Sequence, residues 1–233
     1  MRAVRAAVQG LGELCITLGL LLLLFVAWQL WWTDVESDRT QLATTRGLEQ
    51  TWQRDLQVAP TTAKPVVPKV SQVPMGDAFA LMRVPRFGAD YVRPIVAGTE
   101  LSVLEAGIGH YDGTVGPGEV GNFSLAGHRV TYGKPFNRIA ELQPGDPIVI
   151  ETRTTWYVYR MVSHTIVSPL RVDVVAPVPE RPGVAPTQRM MTMTACHPKF
   201  SARQRYVVFS RLAQTVPKTG GAVPDVLTAA TAS

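Results

Sequence analysis

The chain has 233 residues, 46% of them apolar and 18% charged, which excludes both a disordered chain and one that is membranous throughout. Its formal net charge of +5 comes from 23 basic and 18 acidic residues without any basic run, so nothing marks a groove that tracks a nucleic-acid backbone. Two cysteines exclude a disulfide scaffold and a multi-cysteine zinc module, and no self-similar period marks a repeat architecture.

The first element is an apolar run from Leu14 to Trp32, broken only by Thr17, Gly19 and Gln29. A helix of roughly 20 residues crosses a hydrocarbon core. Arg2 and Arg5 precede the run, and Asp34, Glu36 and Asp38 follow it, so the basic end is expected in the cytoplasm and the rest of the chain outside the cell. Trp28, Trp31 and Trp32 fall where indoles prefer to sit, at the outer interface. A cleaved signal peptide would have a shorter apolar core followed by small residues, so the run reads as an uncleaved anchor. The expected organisation is a cytoplasmic N-terminus over 1–10, the anchor over 11–32, a stalk and linker over 33–76, a folded domain over 77–214 and a disordered tail over 215–233. Val35, Leu42, Leu48, Trp52 and Leu56 give residues 33–57 a loosely helical spacing, and Pro60, Pro65, Pro68 and Pro74 make the next stretch a semi-rigid spacer.

From Asp77 onward the pattern is one of short strands punctuated by Gly and Pro. They are expected over Phe79–Val84, Tyr91–Val96, Val120–Ala126, Pro147–Thr152, Trp156–Val162, His164–Val175, Arg189–Cys196 and Arg205–Leu212. Thr99–Ala106 and Pro135–Leu142 read as short helices. The fold class is all-β, a sandwich or a barrel.

Cys15 lies inside the anchor, so Cys196 is a lone thiol in the exported part. Alternation along a strand places Thr192, Thr194 and Cys196 on one face and Met191, Met193 and Ala195 on the other. His197, the thiol's immediate neighbour, then points away and reads as structural. A thiol needs a base or an imidazolium partner to act as a nucleophile. The better candidate is His128, where a strand bracketed by Gly121 and Gly127 ends; His110 and His164 are weaker ones. Arg203 and Arg205 follow the thiol across a short loop, and Arg205, at the head of the next strand, is the better-fixed donor for a developing oxyanion. Zinc held by His110, His128 and Cys196 lacks a closely spaced ligand pair. The glycines of 116–121 precede a strand instead of following one, so they are not a dinucleotide fingerprint.

The N-terminal anchor, the strand-end A-G-H-R, the later T-x-T-x-C and the following R-x-V-V together resemble the sortases, most closely the class E sortases of high-GC actinobacteria. The resemblance covers roughly Asp77–Leu212. It implies an eight-stranded β-barrel with short helices behind one transmembrane helix, and a cysteine transpeptidase that needs no cofactor or metal. Cys196 would then be the nucleophile, His128 the general acid/base and Arg205 the clamp on substrate or oxyanion. Tyr132, Thr194 and Ala195 would contribute to substrate binding. The implied partners are surface proteins bearing L-A-x-T-G or L-P-x-T-G sorting signals, and a peptidoglycan precursor or other amine acceptor, with no nucleic acid. Two positions depart from the usual T-L-x-T-C signature: Met193 stands for the Leu, which conserves apolar volume, and Ala195 for the Thr before the cysteine. Two other readings compete with this one: a cysteine peptidase whose intermediate is resolved by water, and a tethered wall-binding barrel without chemistry.

Overall fold

The computed structural model describes residues 1–58 and 70–228. Most of the Pro-rich linker lies outside the described residues. The first helix, α1, runs unbroken over Arg2–Val58, so the apolar run and the stalk are one rod. Its apolar stretch is fully exposed and is long and apolar enough to cross a membrane.

The strands are β1 (Ala78–Arg83), β2 (Val92–Ala97), β3 (Ile108–His110), β4 (Gly121–Ala126), β5 (Pro147–Glu151), β6 (Thr155–Val167), β7 (Arg189–His197) and β8 (Gln204–Pro217). They close into a barrel in the order β1-β2-β3-β4-β7-β8-β6-β5, sealed by antiparallel pairing of β1 with β5. Closure leaves no unpaired sheet edge. β2 with β3 and β4 with β7 pair in parallel, each reached by a crossover. The barrel interior holds Ile95, Phe123, Leu125, Ile148, Tyr159 and Met193, among others.

The strand count is as expected, but its composition differs. The segments expected as two strands, Trp156–Val162 and His164–Val175, are one strand, β6, with a register shift between Met161 and Ser163. The shift lets one strand bend around the barrel. β6 stops at Val167, because Pro169 lacks the N–H that a ladder needs, and only a helical turn forms at Val172–Val175. β3 has just three residues beside glycines, too short to leave an alternation pattern. The expected helix over 99–106 is α2 (Leu101–Ala106), whereas 135–142 holds only a turn at Ile139–Glu141. The tail expected to be disordered from 215 is ordered through Thr228. β8 runs to Pro217, and a short helix, α3, spans Asp225–Thr228. Val226 and Leu227 pack against the cluster of Val149, Trp156 and Val158, and the Trp156 indole donates to the Ala222 carbonyl at 3.0 Å. Those apolar residues are spaced too sparsely among small ones to announce themselves.

The C-terminal half of α1 lies along the barrel. Ser37, Gln41, Thr45 and Trp52 form a buried stripe at helical spacing. Four ion pairs flank it: Asp34–Lys134 at 2.8 Å, Asp38–Arg93 at 3.0 Å, Glu49–Arg83 at 2.8 Å and Asp55–Arg153 at 3.2 Å. Gln41 donates to the Tyr132 carbonyl at 3.0 Å, and the Lys218 ammonium lies 4.8 Å from the Trp52 ring. Half-exposed ion pairs each contribute about 0–1 kcal/mol, so the buried indole carries much of the docking energy. Trp52→Ala is expected to weaken docking by about 3 kcal/mol. Trypsin should then cut α1 at Arg46 and Arg54 at least ~10-fold faster in the full chain in detergent, because cleavage follows local opening.

Candidate active site

Strand β7 carries two chemistries on its two faces. Met191, Met193 and Ala195 point into the core, while Thr192, Thr194 and Cys196 face outward. On that outer face the Thr192 hydroxyl donates to Asn122 at 2.9 Å, and Asn122 donates to the Ala176 carbonyl at 3.0 Å. These bonds fasten the β6–β7 connection over the sheet as a wall beside the thiol's strand. Cys196 itself is partly exposed at the end of this face.

Pairing on both sides brings the other two residues to it. The parallel register of β4 on β7 ends with Ala126 opposite Thr194, and Gly127 continues it by donating to the Thr194 carbonyl at 3.1 Å. The ladder stops there; counted one step further along each chain, His128 corresponds to Cys196. On the other side Cys196 is the antiparallel partner of Arg205, and directly opposed residues point to the same face with β-carbons about 4.5–5.5 Å apart. By this count of register His128, Cys196 and Arg205 fall in one rank, of which the Cys196–Arg205 pair lies within the ladder. Arg203 stays in the loop and is exposed. One terminal nitrogen of Arg205 donates to the carbonyls of Ala202 and Gln204 at 2.9 and 3.1 Å, which orients the guanidinium. No carboxylate pairs with it among the described residues.

Gly127 is glycine for want of space: a β-carbon there would lie 2.6 Å from the Phe136 ring. Phe136 in turn donates its N–H to the His128 carbonyl at 3.0 Å, so the turn that presents His128 is fixed from both ends. The His128 ring lies 4.9 Å from that of Tyr132, and its Nε2 is buried without a hydrogen-bond partner among the described residues. Burial pushes its pKa below the ordinary 6.5, and the Glu105 carboxylate offsets this only in part. Tyr132 adopts a positive φ of 52°, and the neighbouring Glu105 raises the pKa of its hydroxyl.

The remaining candidates are otherwise engaged. The Thr194 hydroxyl bonds Tyr111 at 2.9 Å and the Leu125 carbonyl at 3.3 Å. Ala195, expected to contribute to substrate binding, instead packs its methyl in the core opposite Tyr206. The alternation that turns Cys196 outward turns its neighbour inward. His197 also turns from the thiol, as expected, and meets Arg129 at 2.8 Å. His110 is buried, bonded to Thr114 at 2.8 Å and to the Val115 carbonyl at 3.1 Å. Neither it nor any other described group forms a metal-binding cluster.

The sortase domain model matches residues 82–213. The chain belongs to the sortase family. It is 38% identical to sortase SrtE1 of Streptomyces coelicolor over 95% of its own length and 61% of that relative's, and 34% identical to SrtE2 of the same organism, of which it covers 88%. Among solved structures it resembles sortase E1 of Streptomyces coelicolor with a tripeptide in the active site, at 41% identity and a TM-score of 0.60 over 67% of this chain and 99% of that one. It also resembles the SrtF sortase of Corynebacterium diphtheriae, at 35% identity and a TM-score of 0.66 over 71% of this chain and 98% of that one. The chain is thus a class E-like actinobacterial sortase.

Sequence reasoning passed over Arg129 and Asn137, which bind the site's two loops together. Arg129 was visible as the last letter of A-G-H-R; nothing in the sequence marked Asn137.

The depressed pKa of His128 has a testable sign. A base whose folded pKa lies below its unfolded value of 6.5 favours folding fully above that pH and loses the contribution as pH falls below it. The imidazole signal of His128, followed by NMR, should report a ring more than half neutral at pH 6.5, where an exposed histidine is half protonated. His110, lowered by burial as well, should behave alike, and thermal stability should decline as pH falls from 6.5.

Proposed function

We propose that this sortase is an exported cysteine transpeptidase, held in the membrane by α1, that cuts an L-A-x-T-G or L-P-x-T-G signal between Thr and Gly. The observation that carries the reading is the rank of His128, Cys196 and Arg205 across three neighbouring strand ends. The peptide in the active site of the Streptomyces coelicolor relative supports a peptide substrate. The basic residues before the apolar run and the acidic ones after it support a cytoplasmic N-terminus.

In this mechanism the Cys196 thiol passes its proton to His128 as sulfur attacks the threonine carbonyl. Negative charge on the carbonyl oxygen is met by the Arg205 guanidinium. The C–N bond then breaks, His128 gives its proton to the departing glycine nitrogen, and a thioacyl enzyme remains. An incoming amine, from a peptidoglycan precursor or another cell-wall acceptor, attacks the thioester and yields its proton to His128. The C–S bond breaks, the sulfur recovers a proton and the protein is joined to the wall. In this reading Tyr132, whose ring is tilted against that of His128, contacts the residue before the x of the signal.

Incubating the protein with both peptides and candidate amines, with mass detection, tests the reading. Amide-linked product supports transfer, whereas hydrolysed peptide alone, even with amine present, would make it a peptidase. Cys196→Ala should abolish cleavage and transfer while leaving the fold intact, since a methyl fits where the thiol sat. Losing an oxyanion donor typically lowers kcat by about 10² to 10³, and Arg205→Ala should fall at or beyond that range. Arg205→Lys should recover little, for want of the planar fork. Arg203→Ala should cost less than about tenfold in kcat/KM, because a loop guanidinium is not pre-positioned.

A further inference from the structure

The residue after the catalytic histidine is a buried cation without an acidic partner. Arg129 is 6% exposed, and among the described residues no carboxylate pairs with it. Burying a guanidinium is costly unless its donors and its charge are answered. Here one terminal nitrogen donates to the Cys196 carbonyl at 3.1 Å and to His197 Nδ1 at 2.8 Å, while the guanidinium carbon lies 5.4 Å from the centre of the Tyr206 ring. Because arginine can only donate, His197 Nδ1 must accept, which fixes that ring's tautomer. From the other side of the same residue, the Arg129 carbonyl accepts from Asn137 at 2.9 Å, and Asn137 accepts from Lys199 at 3.0 Å. The loop that ends in His128 and the loop that begins at Cys196 are therefore joined through one side chain and one carbonyl.

We infer that Arg129 is a positioning residue, which holds the main chain of Cys196 level with His128 so that thiol and imidazole meet. The kinetic half of this inference rests on the transpeptidase reading; the thiol-reactivity half does not. The register of β4 on β7 reaches only to Gly127, and beyond it the sheet no longer fixes the histidine against the cysteine. Arg129 takes over where the ladder stops. Against Cys196 the structure sets Arg129, on its carbonyl, and Arg205, its cross-strand partner. Glu105 of α2 acts on His128.

The test uses the full chain in detergent, with Cys15→Ser so that Cys196 is the only thiol. Alkylation of Cys196 by iodoacetamide at neutral pH reads the thiol–imidazole pairing without any substrate. Arg129→Met should lower that rate by about tenfold or more, and should lower kcat to a similar extent while KM stays within about threefold, as expected for a defect in aligning the reacting groups. Arg129→Lys, which keeps the charge and one donor, should fall between wild type and Arg129→Met on both measures. A folded Arg129→Met with wild-type alkylation overturns the inference, as does a kcat loss that tracks only a lowered melting temperature. If Arg129→Met does not fold, Arg129→Lys decides: slower alkylation at unchanged melting temperature supports the inference, and unchanged alkylation overturns it. Failure of the wild type to process any sorting peptide would sink the transpeptidase reading yet leave the alkylation comparison standing.

Discussion

The parallel pairing of β4 with β7 is the constraint on which the site depends. A parallel pair needs a crossover, and here the chain between the two strands builds β5, β6 and the wall over the outer face before returning. The histidine and the cysteine, far apart in sequence, each stand two residues beyond the last pair of this ladder, Ala126 opposite Thr194. The arginine needs no such journey. It lies across a tight connection from the thiol and is brought back by simple antiparallel register. One shift of register on either side would turn a member of the rank away from the outer face, since side chains alternate with a period of two.

That rank sits on a barrel whose inner surface leaves little freedom. Met193 and Ala195 are locked into the core on the reverse side of the strand that carries Cys196, and Gly127 is pressed against Phe136. The reacting groups are thus mounted on a closely packed support, and the loops beyond the ladder's end are tied to each other through Arg129 and Asn137. Pre-positioned donors are worth most where they need not be reordered during reaction.

Much of this was legible in the amino-acid sequence, for identifiable reasons. The alternation in Thr192–Cys196 correctly separated the groove face from the core face, because a strand with one apolar and one polar side shows its period directly. The same alternation argued against a groove role for the Ala195 side chain, an implication that the family resemblance overrode. Elements that depend on few residues were lost: β3 is too short for a pattern, and α3 holds its place through Val226 and Leu227 against a cluster formed by distant strands. The docked stripe of α1 was missed for another reason. Ser37, Gln41 and Thr45 are polar, and a polar stripe buried against a barrel reads in sequence like a solvated face.

The unbroken rod from Arg2 to Val58 gives the candidate site a working height. Gln41, which holds the Tyr132 loop, lies nine residues beyond Trp32, or about 14 Å along the helix axis at roughly 1.5 Å per residue. With Trp32 at a bilayer surface there is no swivel between that surface and the barrel, so the barrel leans whenever the helix leans. Transmembrane helices tilt by about 20° on average and tilt further in thinner bilayers; over the roughly 35 Å from Trp32 to Asp55, such a lean carries the far end about 12 Å sideways. Bilayer thickness thereby becomes a coordinate of the active site. For the membrane-held transpeptidase proposed above, it sets how far above the lipid a sorting signal must reach, and from which side it meets Cys196.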